Sequence, residues 1–232
     1  KPIAVGGPPP RGIIAAASYA VRPFGVRSAM PTAKALQLCP QLILLPPDRP
    51  LYRQLHEAMQ AVTDRLFPLT EWSSIDEFYA DTTDLQSLHP DPSALGKLVK
   101  AELYAATGLC CTIAVATGKT VAKIAADSHK PDGLAVVEPG TERSFLAPRP
   151  PRALPGIGPK TAARLDALGL KTIDDLLDVR WELPLRRLFG HGLAWIRELA
   201  QGLDREPVVA DRGSKSISHE TTFERDTQDR AL

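Results

Sequence analysis

The octapeptide Ser74-Ile75-Asp76-Glu77-Phe78-Tyr79-Ala80-Asp81 sets two adjacent carboxylates inside a run of strand-forming residues. Successive side chains on a strand point to opposite faces, so Asp76 and Glu77 share one site only where a turn or bulge re-aims one of them. An unpaired buried carboxylate is costly, and a core strand keeps such a pair only if something compensates the charge. A divalent cation does so, because hard cations such as Mg2+ take carboxylate oxygens. A hairpin tip with two solvated acids is the other way to read the same residues.

The flanking charge favours a site. Between Leu66 and Gly96 lie six acids (Glu71, Asp76, Glu77, Asp81, Asp84, Asp91) and no Lys or Arg. Between Lys1 and Arg53 lie seven bases (Lys1, Arg11, Arg22, Arg27, Lys34, Arg49, Arg53) against the single acid Asp48. The net charge of +1 hides this polarity. A basic segment followed by an acidic one suits a polyphosphate held at one end and reacted at the other. Two faces that merely attract each other would carry the same charges.

At 232 residues the chain has room for one large or two small domains. No apolar run reaches the roughly 18 residues that a membrane span needs, so no membrane partner is expected. The opening Lys1-Pro2-Ile3-Ala4-Val5-Gly6-Gly7 has neither an initiator Met nor the layout of a signal peptide and reads as the middle of a longer chain. Cys39, Cys110 and Cys111 lack metal-ligand spacing, and an odd, sparse count points to a reducing, cytoplasmic setting.

Taken in order, Ile3–Val5 reads as a short strand, Pro8–Pro10 as a turn, and Gly12–Ala17 as an apolar run. Tyr19 and Arg22 are three apart, so one helical turn puts them on one face, and Pro23 should end that turn. A ring beside a guanidinium fork makes a triphosphate clamp or an ordinary surface pair. Leu51, Leu55, Ala58, Met59, Val62 and Leu66 repeat at helical spacing over 50–67. The carboxylate strand follows, then a helix capped by Ser93 that runs to about Ala106. Cys110–Ala116 reads as a strand, Lys119–Asp127 as a helix and Gly133–Val137 as a strand, so strands and helices alternate in an α/β layer.

Thr117-Gly118-Lys119-Thr120 imitates a phosphate loop, but the full pattern requires Gly five residues before Gly118, and that position is Ile113. What remains is a helix N-terminus with Lys119 and Lys123 nearby, which is either an anion site or a solvated face. Leu154-Pro155-Gly156-Ile157-Gly158-Pro159-Lys160 is more specific. Two glycines around one apolar residue permit a tight turn, and Pro159 suits a first helical position. The next helix ends at Gly169, and Thr172 with Asp175 opens another. This is the layout of a helix-hairpin-helix, whose backbone N–H groups hold a DNA phosphate without reading sequence. Arg205–Lys215 reads as a linker and Ser216–Phe223 as a new strand.

Together these stretches resemble the Y-family translesion DNA polymerases, most closely the DNA polymerase IV type. The resemblance rests on Tyr19, Arg22 and Phe24–Pro31, the Ser74–Asp81 octapeptide, Ala122–Asp127 with Lys130-Pro131-Asp132-Gly133, and Leu154–Gly158. It implies an α/β fold in a right-hand arrangement: small fingers at 1–47, an α+β palm with a βαβ-type sheet at 48–138, and an all-α helix-hairpin-helix thumb at 139–204. A linker at 205–214 and the start of a little-finger domain at 215–232 would follow. Asp76 and Glu77 would be catalytic and ligate metal, with two Mg2+ ions expected and Mn2+ able to substitute. Tyr19, Arg22 and Lys123 would bind the nucleotide, and Gly156, Ile157, Gly158 and Lys160 the DNA. The implied partners are primer-template DNA, deoxynucleoside triphosphates, and a sliding clamp through a segment outside these residues. If the protein is bacterial, association with the nucleoid would follow.

The sequence also departs from the family pattern. The family's first metal-binding carboxylate and the aromatic residue that excludes ribonucleotides lie on a strand that would precede Lys1. Ala16 stands where many relatives carry Thr, Pro23 replaces a commonly basic residue, and most of the little finger would lie beyond Leu232. These 232 residues alone are therefore expected to be inactive. A non-catalytic DNA-binding scaffold is one rival, and its mark would be loss of both carboxylates. A helix-hairpin-helix DNA glycosylase is the other, which leaves the acidic octapeptide and the Tyr19/Arg22 region unexplained.

Overall fold

The computed structural model describes residues 1–210, 213, 216–223 and 225–228. The chain forms two compact units, Lys1–Gln54 with Gly213–Leu232, and Leu55–Arg212.

In the first unit β1 (Ile3–Gly6) is the central strand, antiparallel to β2 (Ile14–Ala17) and parallel to β3 (Ile43–Leu45). The register slips between Val5 and Gly6, where a Cβ on Gly6 would stand 2.6 Å from the Ile13 carbonyl oxygen, so the bulge requires glycine. A 3-10 turn, Tyr19–Phe24, and helix α1 (Thr32–Leu38) cover the sheet. Ala4, Ile14, Val21, Val26 and Ala35 close the core. Pro23 lies inside the turn, which continues to Phe24 and ends at the left-handed Gly25. The fixed φ of proline suits a 3-10 turn, so it does not stop the chain at Arg22 as the sequence suggested.

Helix α2 (Arg49–Leu66) begins with the Leu51 amide donating to Asp48. In the second unit its later turns face α3 (Pro92–Thr107) around Val62, Phe67, Leu95, Val99 and Leu103. Asp91, rather than Ser93, caps α3: its carboxylate accepts from the Ser93 amide, and Pro92 takes the first helical position. Strands β4 (Thr70–Trp72) and β5 (Phe78–Ala80) form an antiparallel hairpin. Strand β6 (Ile113–Val115), helix α4 (Lys119–Ser128) and β7 (Leu134–Val136) form a βαβ unit with a parallel pair. Among the described residues the hairpin and the parallel pair are separate sheets, where alternation alone suggested one layer. They share a core, since Phe78, Ala80 and Ile113 all pack against the α2–α3 cluster.

The rest of this unit is helical: α5 (Glu142–Leu146), α6 (Pro159–Ala167), α7 (Glu182–Phe189) and α8 (Leu193–Ala200), with 3-10 turns between them. Leu146, Leu165, Leu170, Ile173, Leu176 and Leu185 are fully buried and form one core with Val121 and Ala125 of α4. After Thr172 the chain makes a 3-10 turn, Asp174–Leu177, where the sequence suggested a helix. Its start is doubly held: Asp175 accepts from the Lys171 and Thr172 amides at 2.8 Å each, and its own amide donates to Thr172 Oγ1.

Ser216–Phe223 forms no strand. A strand needs an edge to satisfy its amides, and none pairs with it among the described residues; Ile217 stands 96% exposed. Lys215, Glu224 and residues 229–232, within the expected little-finger segment, lie outside the described residues, as do Asp211, Arg212 and Ser214 of the linker.

Candidate active site

The two carboxylates sit at a hairpin tip. The strand-forming run begins only at Phe78, because the chain must first reverse at Ser73–Glu77 to pair Trp72 with Phe78. The Ser73 and Ser74 amides donate to the Glu77 carbonyl at 3.0 and 3.3 Å and close the turn. His56 Nδ1 donates to the Ile75 carbonyl at 2.9 Å, and its ring meets Trp72 edge-on at 4.5 Å. The tip is thereby tied to α2.

A turn re-aims the acids, and they face different surroundings. Asp76 is exposed and accepts the Ser74 hydroxyl at 2.7 Å. Glu77 is partly buried and forms an ion pair with Lys123 on α4. Lys123 lies 3.8 Å from Asp127, which pairs with Lys130 at 2.8 Å; Lys130 reaches back to Glu77 at 3.9 Å. Glu77, Lys123, Asp127 and Lys130 thus form a closed ring of alternating charge. Sequence reasoning placed Lys123 at the site but not Asp127 or Lys130. Their spacing of four and then three residues, from α4 to just past its C-terminus, was the available signal.

One turn earlier on α4, Lys119 pairs with Glu71 of β4, both side chains being only 10% exposed. The ammonium also lies 5.4 Å from the centre of the Tyr79 ring. Burial, then the charges of Glu77, Asp204, Glu71 and Asp127, pushes the Tyr79 hydroxyl above its ordinary range. Two parallel Lys–Glu pairs therefore staple α4 to the hairpin. Beside them lies a cleft of about 510 Å³, lined by Trp72, Tyr79, Lys119, Lys123, Pro155 and Asp204 among others. The α4 N-terminus is not open to an outside anion, since the Thr120 amide donates to Asp204 at 2.7 Å.

At the second motif Gly156 adopts φ +82°, and a Cβ there would lie 3.0 Å from the Trp195 ring. Ile157 is buried among Leu154, Leu165 and Ile196, so it anchors the turn, and only its backbone remains for a ligand. Gly158 caps α6 without a side chain, and Gly156, Gly158 and Lys160 are exposed. The first amides of α6 and the Lys160 ammonium form a surface that suits a phosphate. The segment before this turn is a short 3-10 turn, Pro151–Ala153, rather than a full helix. In the first unit, the Arg22 guanidinium stacks 3.9 Å from the centre of the exposed Tyr19 ring, and Val21 between them turns into the core. The 3-10 turn eclipses positions three apart, which is why these two meet.

The donor set fits a hard divalent cation in kind, since Asp76 and Glu77 offer carboxylate oxygens. It does not fit in number: among the described residues no three His, Cys, Asp or Glu side chains gather to hold a metal ion. Cys39, Cys110 and Cys111 are free thiols. No helix of the described residues is long and apolar enough to cross a membrane.

Residues 1–127 match the model of the impB/mucB/samB family. The chain is 42% identical to a DNA polymerase IV of Methanoculleus marisnigri, over 99% of this chain and 64% of that protein. It is 39% identical to a DNA polymerase IV of Halorhodospira halophila, over the same shares. Among solved structures, DinB from Sulfolobus solfataricus superposes with a TM-score of 0.82 at 32% identity, over 90% of this chain and 62% of that one. An insertion ternary complex of Dbh DNA polymerase superposes with a TM-score of 0.80 at 32% identity, again over 90% and 62%. The chain spans a little under two thirds of the curated relatives' length.

Proposed function

The chain belongs to the impB/mucB/samB family of Y-family polymerases, and from that membership we propose that it forms the nucleotidyl-transfer portion of a translesion DNA polymerase. The observation that carries the reading is the carboxylate hairpin: Asp76 exposed at the tip with the Ser74 hydroxyl, and Glu77 held by Lys123, which stands on α4 of the βαβ unit. Retention of both acids disfavours a scaffold that has lost its chemistry. A glycosylase leaves the hairpin and its lysine ring without a purpose.

In this reading residues 1–47 are fingers, 48–138 palm, 139–204 thumb and 205–214 linker, with 215–232 opening a little finger. Tyr19 and Arg22 bind the triphosphate of the incoming deoxynucleotide, the planar guanidinium supplying paired donors to phosphate oxygens. Lys123 supplies a positive charge at Glu77 and, with Lys130, limits repulsion between the acids and a polyphosphate. The Gly156–Gly158 turn and Lys160 hold a backbone phosphate of the primer-template and fix its register without reading bases. Asp76 and Glu77 would hold Mg2+ or Mn2+, which when bound would neutralise charge developing on phosphate oxygens and on the leaving group. The two-ion count that the resemblance implies needs further oxygen donors beyond these two. A sliding clamp would be met outside these residues.

The test replaces the aligned segment of the Methanoculleus marisnigri protein with residues 1–232 and measures primer extension with Mg2+ beside a thermal melt. Template-directed incorporation is expected. A folded, DNA-binding chimera that adds no nucleotide sinks the proposal, and release of a damaged base in its place would favour the glycosylase.

A further inference from the structure

The segment that leaves α8 returns to the carboxylate hairpin. Helix α4 has Gly118 at its N-cap position and so no side-chain cap of its own. Its cap comes from 84 residues away, where Asp204 Oδ2 accepts the Thr120 amide at 2.7 Å. Asp204 Oδ1 accepts from the Glu206 amide at 3.0 Å, which fixes the carboxylate's orientation. The approach is close enough to require glycine at position 118, where a Cβ would lie 2.9 Å from the Asp204 Cβ. Five residues on, the Val209 amide donates to Glu71 Oε2 at 2.8 Å, the same buried carboxylate that pairs with Lys119.

Residues 204–209 are thus a strap with two points of attachment, one on the first turn of α4 and one on β4. Those two elements carry Lys123 and the carboxylate hairpin. A carboxylate at a helix N-terminus also complements the positive end of the helix dipole. We propose that Asp204 is a positioning residue: by capping α4 from the strap it sets the helix in the register that places Lys123 against Glu77 and holds the hairpin tip closed. In function this rests on the polymerase reading, but the coupling from Asp204 to the tip exists or fails without it.

Backbone amide exchange on residues 1–232 decides it, followed by NMR for wild type, Asp204→Ala, Asp204→Asn and Gly118→Ala. Loss of the cap in Asp204→Ala should speed exchange at Thr120 about five- to thirtyfold, the factor that corresponds to a lost helix cap. Exchange at Val209 and at Ser73 and Ser74 of the hairpin tip should rise in the same variant. Gly118→Ala, whose added methyl meets Asp204 and pushes it away while the carboxylate itself is kept, should reproduce the pattern. Asp204→Asn, which keeps an acceptor, should restore most of the Ser73 and Ser74 protection. Unchanged Thr120 exchange in Asp204→Ala overturns the cap. Faster exchange at Thr120 with the hairpin tip unmoved makes Asp204 a local cap only and overturns the positioning role. An inactive chimera in the primer-extension test bears on the polymerase reading and leaves these exchange outcomes to decide the coupling.

Discussion

Asp76 and Glu77 are neighbours in sequence with opposite situations. Asp76 stands in solvent with a serine hydroxyl as partner, whereas Glu77 is drawn against α4 by Lys123. Asp76→Ala should therefore leave the fold alone, within about 0.5 kcal/mol for an exposed position. In the chimera it should abolish nucleotide incorporation with little change in primer-template affinity. Extension near the unsubstituted rate would show that Asp76 is no ligand. The adjacent acids stood out in the sequence because two carboxylates within a strand-forming run need either a compensating charge or a solvated turn, and the structure sets them at a hairpin tip. Their separate partners were not legible, because Lys123 lies 46 residues from Glu77. Glu71, Lys119 and Asp204 were not legible as a unit either. Their partners lie 48, 84 and 138 residues apart, beyond any local pattern.

At the scale of elements, the Gly156–Gly158 turn separates anchoring from contact. Ile157 fills the core while Lys160 stands exposed. Ile157→Val should cost about 0.5–1.5 kcal/mol in a urea melt and leave DNA binding unchanged. Lys160→Ala should do the reverse: an unaltered melt, weaker binding to any DNA sequence, and a salt slope reduced by roughly one charge. If Ile157→Val weakens DNA binding while the melt is unaltered, the assignment is inverted. The next turn gives an acid-limb test. Burial pushes the Asp175 carboxyl up, but the Thr172 and Lys171 amides outweigh it and leave it below its ordinary range. A lowered folded pKa contributes stability above the unfolded value of about 3.9, lost as pH falls through the folded one. Wild type should therefore exceed Asp175→Asn in stability at about pH 5, and the gap should narrow as pH falls below the unfolded value. A gap that stays constant as pH falls would remove the charge from the argument. The Thr172–Asp175 cap was visible in the sequence because its spacing is local, but the helix it suggested is a 3-10 turn. The chain after Thr172 forms a 3-10 turn because its orphan donors are met within four residues.

At the scale of the molecule the question is what residues 1–232 do unaided. The long helices α2, α3 and α4, the strands near Ile3, Ile113 and Leu134, and the α/β class followed from hydrophobic period and turn chemistry, whereas the short α1, β3 and β4 did not. The splitting of strands β4–β7 into two sheets did not, because which edges pair depends on contacts distant in sequence. That splitting bears on activity. The hairpin and the βαβ unit rest on one core yet share no ladder, and the hairpin tip brings only two carboxylates, one of them already engaged by lysine. Two cations need several oxygen ligands each, and among the described residues no three His, Cys, Asp or Glu side chains are set to hold a metal ion. The Gly156–Gly158 turn, by contrast, has its core filled by Ile157 and leaves Gly156, Gly158 and Lys160 exposed. Residues 1–232 alone should therefore bind primer-template weakly, with affinity falling steeply as salt rises, and should extend no primer with Mg2+ or Mn2+. Fluorescence anisotropy across a salt series and a gel of primer products measure the two arms. Template-directed extension above a no-enzyme control would mean that other oxygens of this chain complete the site. Binding indifferent to salt would mean that the Gly156–Gly158 turn is not the grip.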